Sequence, residues 1–295
     1  MNGMKTTLLL GLLSAILIVG GRAIAGEEGL KYGLILAVGM NFFSYFFSEK
    51  IALMSAQAQP VSQTQHPEIY ARLSPVVGDL SRRMGIPMPK LWVTPEPSPN
   101  AFATGRNPNH ASVAVTAGIL QLMNDEELAA VLARELGHVK NRDILISSIA
   151  ATLASAITYL AQMAMWFGAE RRDGEQRSRS PLGGLLMLLL APMAAGLIRM
   201  AISRTREFSA DATSARTLGN AQPMIDALAT LDSIGRQIPL DASPSMSHLY
   251  IMQPFSGRSL SKLFSTHPPT AERIAALRRV PVNLTSRTDR APVSK

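Results

Sequence analysis

Two apolar runs open the chain and two more interrupt it, and the polar stretches between them set its organisation. Thr6 to Gly21 is uncharged and rich in Leu, Ile and Val, with Lys5 before it and Arg22 after it. Gly33 to Phe47 is the second run, ending in the aromatic cluster Phe42, Phe43, Tyr45, Phe46 and Phe47 with Lys50 beyond. Each falls slightly short of the roughly 20 residues a spanning helix needs, and flanking residues extend both. Together they read as a transmembrane hairpin over residues 1–50, joined by a short polar loop around Glu27 and Glu28. The first run also imitates a secretory signal, because Lys5, an apolar core and Ala23-Ile24-Ala25 follow one another. Against that stand the second run directly after it and the basic Arg22 beside the supposed cleavage site.

From Ser48 to about Asp143 the pattern is that of soluble protein. Ile69, Leu73, Val76, Val77 and Leu80 recur at helical spacing within Pro67 to Met84, and "PKLWVT" reads as a short strand. In "NAFATGRNPNHASVAVTAGILQLM" a Gly/Asn/Pro turn separates two apolar strands, a hairpin signature. Asn124 with Glu127 three residues later is a capping box, so a helix starts at about Asp125 and runs to about residue 142.

Ile144 to Gly168 and Leu182 to Ile198 carry no charged residue, and a charged loop at 169–181 separates them. Charge-free runs of this length read as membrane spans; a pair of buried core helices, or helices that dip into the membrane, are the alternatives. Beyond Arg199 the chain is soluble again, with helices at 206–218 and around Met224 to Ile234, and a basic tail at 283–295.

Composition agrees with a membrane-associated chain. It is 47% hydrophobic and 17% charged, with a mean hydropathy of +0.14. There is no cysteine, which excludes disulfides, thiol catalysis and thiolate zinc sites and leaves His, Asp and Glu to hold any metal. The net charge of +8 is scattered and has no aromatic interleaving or nucleic-acid motif, so no nucleic-acid partner is expected. Positive flanks beside an anionic cytoplasmic leaflet explain the excess more simply.

The chemistry concentrates in "VLARELGHVKNRD". Positions 134 and 138 are one helical turn apart on one face, the spacing that two ligands of one zinc ion require, with Glu135 able to reach a metal-bound water. A zinc site of this kind takes a third protein ligand and a water. "SRTREFSADATSA" offers Glu207, with Asp211 one turn later as a candidate to orient a ligand histidine. Zinc lowers the pKa of its water toward about 7, and a neighbouring glutamate takes the proton as hydroxide attacks a peptide carbonyl. The first position of the H-E-x-x-H pattern, however, is Arg134.

These motifs in this order resemble the HtpX-type membrane zinc metalloproteases of bacterial envelope quality control, relatives of the CAAX prenyl proteases. The resemblance covers nearly the whole chain: "NAFATG" at 100–105, E-L-G-H-V-K-N-R-D, "REFSAD" at 206–211 and "THPPTAERI" at 266–274. It implies an integral membrane, mainly α protein with a small antiparallel β-sheet (α+β), a zincin-like (gluzincin) protease domain joined to transmembrane helices. The protease domain would have its first part at 51–143 and its second, carrying Glu207, at 199–282, separated by the apolar pair 144–198. His138 and Glu207 would be ligands of one zinc ion per chain, Glu135 the general base and Asp211 a support behind the ligands. Asn100, Ala101 and Phe102 would open an edge strand running to Val115, to which an extended segment of a membrane-protein substrate adds. His267 is a candidate for stabilising the oxyanion, with a structural loop histidine the equal alternative.

Arg134 breaks this pattern at a metal ligand. A guanidinium has no lone pair to donate and stays protonated, so zinc binding is expected to be weak or absent. It can pair with one or two of Glu135, Glu207 and Asp211, so the fold is expected to persist without the chemistry. A chain drifting away from catalysis is free to lose those residues too; their retention favours a single replacement in an otherwise active protein. Two functions follow: a zinc endopeptidase of damaged membrane proteins present as an inactive variant, or a non-catalytic pseudoprotease that binds peptides at the membrane. Lys5 and Lys50 favour a multi-pass protein of the bacterial inner membrane with its protease domain facing the cytoplasm, although the Arg-rich loop at 171–179 then faces outward.

Overall fold

The computed structural model describes residues 2–146, 204–235, 251 and 268–282. The apolar pair 144–198 lies almost wholly outside them, as do His267 and the tail at 283–295. Helix α1 (Asn2–Ser55) takes in both N-terminal apolar runs. Gly26 has φ +60, a left-handed turn that glycine adopts without steric cost. The chain comes back on itself there: Asn41 Nδ2 donates to Ser14 Oγ at 2.9 Å and to the Leu10 carbonyl at 3.4 Å. Among the described residues no single helix is long and apolar enough to cross a membrane, while Gly26–Phe43 and Tyr45–Ser55, bent by 62° at their break, pass that test together. The helix continues past the soluble-looking boundary at Ser48, because Ala52 and Leu53 bury against the sheet.

The sheet contains β1 (Gln59–Pro60), β2 (Lys90–Thr94), β3 (Ala101–Asn107) and β4 (His110–Thr116) in the order β1-β2-β4-β3. It is mixed, which corrects the antiparallel sheet expected from the hairpin alone. β3 and β4 are antiparallel, but β4 returns beside β2 and pairs with it in parallel, Lys90 opposite Ser112 through Thr94 opposite Thr116. The second half of the apolar segment after the hairpin is also not strand. Thr116 Oγ1 accepts from the Ile119 amide at 3.1 Å and caps a short helix, α3 (Ala117–Leu122).

Period-two alternation gives the sheet two buried faces. Phe102 and Ala114 join Ala52 and Leu53 of α1 on one face. Ala101, Ala103, Val113, Val115, Leu91 and Val93 join the main core on the other. That core holds α2 (Pro67–Met84) and α4 (Asp125–Lys140), with α5 (Arg204–Leu218), α6 (Gln222–Gly235) and α7 (Thr270–Leu277) against them. Arg72 ties α2 to the approach to α4, donating to the Leu120 carbonyl at 2.6 Å, the Met123 carbonyl at 2.7 Å and Asp125 at 2.9 Å.

Candidate active site

The capping box sets the start of α4 and hence its rotational phase. Asn124 Oδ1 accepts from the Glu127 amide at 2.9 Å, and Glu127 Oε2 accepts from the Asn124 amide at 3.2 Å. From that start, positions 134, 135 and 138 reach the crossing with α5. The two helices approach closely because Gly137 has no side chain: a β-carbon there would lie 3.3 Å from Thr213 Cγ2. Ser214 Oγ donates to the Ala130 carbonyl at 2.7 Å and fixes the helices along their length. Glu207 and Asp211, one turn apart on α5, are thereby turned toward α4.

At the crossing the Arg134 guanidinium lies among all three carboxylates that sequence reasoning placed around it. Its two terminal nitrogens donate to Glu135 Oε1 and Glu207 Oε2. Its Nε lies 3.3 Å from Asp211 Oδ1, without hydrogen-bond alignment. Arg134 is 3% exposed, Glu135 4% and Glu207 7%, so these charges are screened chiefly by one another. Burial pushes the Arg134 pKa down, but Glu135, Glu207 and Asp211 outweigh it and hold the side chain above the ordinary arginine value.

His138 is in the site but not oriented as expected. Its Nε2 is 3.8 Å from Glu207 Oε1, while its Nδ1 faces Asp143 Oδ2 at 3.2 Å. Asp143, not Asp211, is therefore the aspartate opposite the imidazole. The chain delivers it by leaving α4 through Arg142, whose φ of +58 is unusual for a side-chain-bearing residue and turns the backbone sharply. Asp211 is gripped instead by Arg273 of α7, whose Nε and Nη2 donate to its two oxygens at 2.8 and 2.7 Å. Arg206 Nη1 lies 3.9 Å from Asp143 Oδ1. Burial lowers the Arg206 pKa, with Asp143 and Glu207 opposing. Sequence reading missed Arg273, Asp143 and Arg206. All three lie inside the motifs quoted above, Asp143 closing E-L-G-H-V-K-N-R-D, Arg206 opening "REFSAD" and Arg273 within "THPPTAERI", but no role was read for them.

The strand residues divide. Asn100 Oδ1 accepts from the Ile251 amide at 3.0 Å, and Arg273 Nη1 donates to the Ile251 carbonyl at 3.1 Å, so Asn100 connects to the charged cluster through one backbone unit. The Asn100 carbonyl accepts from the Thr116 amide at 2.9 Å. By alternation Phe102 also turns its backbone toward β4, opposite Ala114, and its side chain packs on α1. Ala101 and Ala103 are the residues whose backbone groups face the outer edge. Among the described residues no strand pairs beyond β3.

The residues present do not fit a zinc ion of the kind the helix spacing anticipates. His138 Nε2 and Glu207 Oε1 remain as donors, but the third corner is a guanidinium that has no lone pair and occupies Glu207 and Glu135 itself. Among the described residues no three of His, Asp and Glu converge at metal-ligand spacing.

Comparison with known proteins agrees with the motif order. The sequence profile of peptidase family M48 matches residues 67–280. A protease HtpX homolog of Desulfatibacillum aliphaticivorans is 52% identical over 279 residues, covering 94% of this chain and 89% of that protein. Another from Pelotomaculum thermopropionicum is 48% identical over 280 residues, covering 94% and 98%. Among solved structures, Ste24p of S. mikatae is similar in fold with a TM-score of 0.51 at 22% identity, covering 94% of this chain; the chain spans 65% of that longer protein.

Proposed function

This chain belongs to peptidase family M48, and from that premise we propose that it is a membrane-bound endopeptidase of the HtpX type whose hydrolytic centre is closed by Arg134. One observation carries the reading: the guanidinium stands in the first histidine's position and takes up both Glu135, the expected base, and Glu207, an expected ligand. The cation supplied by the protein stands where a metal would supply one, so the carboxylates stay paired while no Lewis acid and no activated water are available. In a parent form with histidine at this position, the centre holds one zinc ion per chain and cuts misfolded or damaged membrane proteins at the cytoplasmic face of a bacterial inner membrane.

A retained peptide-binding function in the present chain would use the outer edge of β3, toward which the backbone groups of Ala101 and Ala103 point; both residues are buried, so that edge must be uncovered before an extended peptide can add to it. The test compares this chain with Arg134→His, both purified in detergent. The variant is expected to carry about one zinc per chain and to cut casein, the present chain to do neither. Stoichiometric zinc and cleavage in the present chain overturn the proposal. A variant that binds zinc but cuts nothing leaves peptide binding as the function of the scaffold.

A further inference from the structure

The contacts of α1 fix which end of the sheet faces the apolar run. Ala52 and Leu53 pack with Phe102 and Ala114. One turn back along α1, Glu49 Oε1 accepts from Ser112 Oγ at 2.8 Å, and Ser112 Oγ in turn accepts from Trp92 Nε1 at 3.0 Å. A further turn back, the Phe46 ring lies under the Arg106 guanidinium, 5.1 Å from its centroid. Phe102, Thr104 and Arg106 climb β3 toward the turn at Asn107–His110, so each step back along α1 is a step toward that turn. The next residues back are the exposed Phe42 and Phe43, followed by Val38, Leu36, Ile35 and Leu34. The tip of the β3–β4 hairpin therefore sits level with the aromatic, C-terminal end of the second apolar run.

Two properties coincide there. Phe42, Phe43, Phe46 and Phe47 are 59%, 45%, 45% and 41% exposed, a continuous aromatic patch of the kind found at membrane interfaces. The same end carries Arg106, Lys50 and Lys90; Glu49 among them is occupied by Ser112 and lies 3.6 Å from Lys90 Nζ. We propose that this end of the sheet rests on the anionic headgroups of the bilayer that receives the apolar run, with Arg106 as the principal contact and the phenylalanine rings in the interfacial layer. The proposal rests on the membrane-bound reading above and deepens it: the tip of the β3–β4 hairpin is held at the membrane surface.

The chain has no cysteine, so Asn109→Cys supplies one labelling point at the tip. The labelled full chain is reconstituted in vesicles of phosphatidylcholine, or of phosphatidylcholine and phosphatidylglycerol in equal parts, each doped with a lipid spin-labelled at the headgroup. Strong quenching is expected in the anionic vesicles. Arg106→Ala should reduce headgroup contact about fivefold at equal incorporation, corresponding to about 1 kcal/mol for one basic side chain at an anionic surface. Phe46→Leu, which removes the ring but keeps the charge, should retain the lipid dependence and so separates headgroup contact from local packing. A label equally open to aqueous iodide in both lipids and indifferent to Arg106 overturns the proposal while leaving membrane insertion intact. Failure of the chain to incorporate into either vesicle overturns the membrane reading itself.

Discussion

Helix α4 meets its neighbours in two chemically opposite ways. Leu128, Val131, Leu132, Leu136 and Val139 join one apolar core with Leu73 and Val77 of α2, Val113 and Val115 of β4, and Met224 and Leu228 of α6. Arg134 and Glu135, on the same helix and just as buried, meet Glu207 and Asp211 of α5, with Arg273 of α7 behind. Apolar contact is non-directional and tolerates replacement by residues of similar volume, whereas a buried ionic cluster is stable only as a balanced set. Under the proposed reading, the ionic half is where the fold can lose chemistry without losing structure. With a guanidinium at position 134 every carboxylate of the set has a cationic neighbour, so the apolar half is left undisturbed.

The largest effect that tests this contrast is expected from Arg273→Ala. It leaves Asp211, 1% exposed, without its two aligned donors, and should cost about 3–5 kcal/mol in chemical denaturation. Leu132→Ala in the apolar half should cost a comparable amount, about 2–5 kcal/mol, by opening a cavity. The two differ in rescue. Arg273→Met combined with Asp211→Leu removes both charges and should recover most of the loss, although Arg134 then keeps only Glu135 and Glu207. If the double variant is no more stable than Arg273→Ala, the charged half is not governed by balance and the contrast fails.

How far the sequence disclosed this arrangement depends on the range of each interaction. The phase of α4 was legible because the Asn124–Glu127 box and the i, i+4 spacing of 134 and 138 are local. Glu207 and Asp211 were legible because they fall one turn apart on one helix, within a recognisable motif. Arg273 was not, because its partner lies 62 residues away and the "THPPTAERI" motif around it does not say which of its residues is buried. The pairing of Asp143 with His138 depended on a left-handed backbone at Arg142, a conformation that side-chain identity does not announce. The parallel neighbour of β4 was equally hidden: the hairpin turn dictates the partner of β3, but only packing of both sheet faces decides that β2 lies on the other side.

A smaller effect probes the boundary between the two halves. Gly137→Ala places a methyl group 3.3 Å from Thr213 Cβ and Cγ2 on α5. Thr213 must give way by a few tenths of an ångström, and where the packing carries this into a shift of α5 the cost is about 1–3 kcal/mol against the small gain in helix propensity. Because Glu207 is carried on α5, the same shift should weaken metal uptake when introduced into the Arg134→His background. Unchanged stability together with unchanged zinc affinity would show that the close approach does not position the charged residues.

The smallest effect is expected at Asn124→Ala, which removes the acceptor for the Glu127 amide. Loss of one cap is worth about 1 kcal/mol. Glu127 is also held by Thr230 Oγ1 of α6 at 3.3 Å, so its carboxylate remains anchored when its reciprocal partner is gone. The cap thus acts on where α4 starts, not on whether its charged face is balanced. Asn124→Ala should therefore lower the denaturation midpoint slightly and leave the slope unchanged. In the Arg134→His background it should leave zinc stoichiometry at one per chain. A loss of zinc from so mild a change would mean that the phase of α4 depends on its first turn alone, and that the apolar half does not hold the helix in place for the charged half to use.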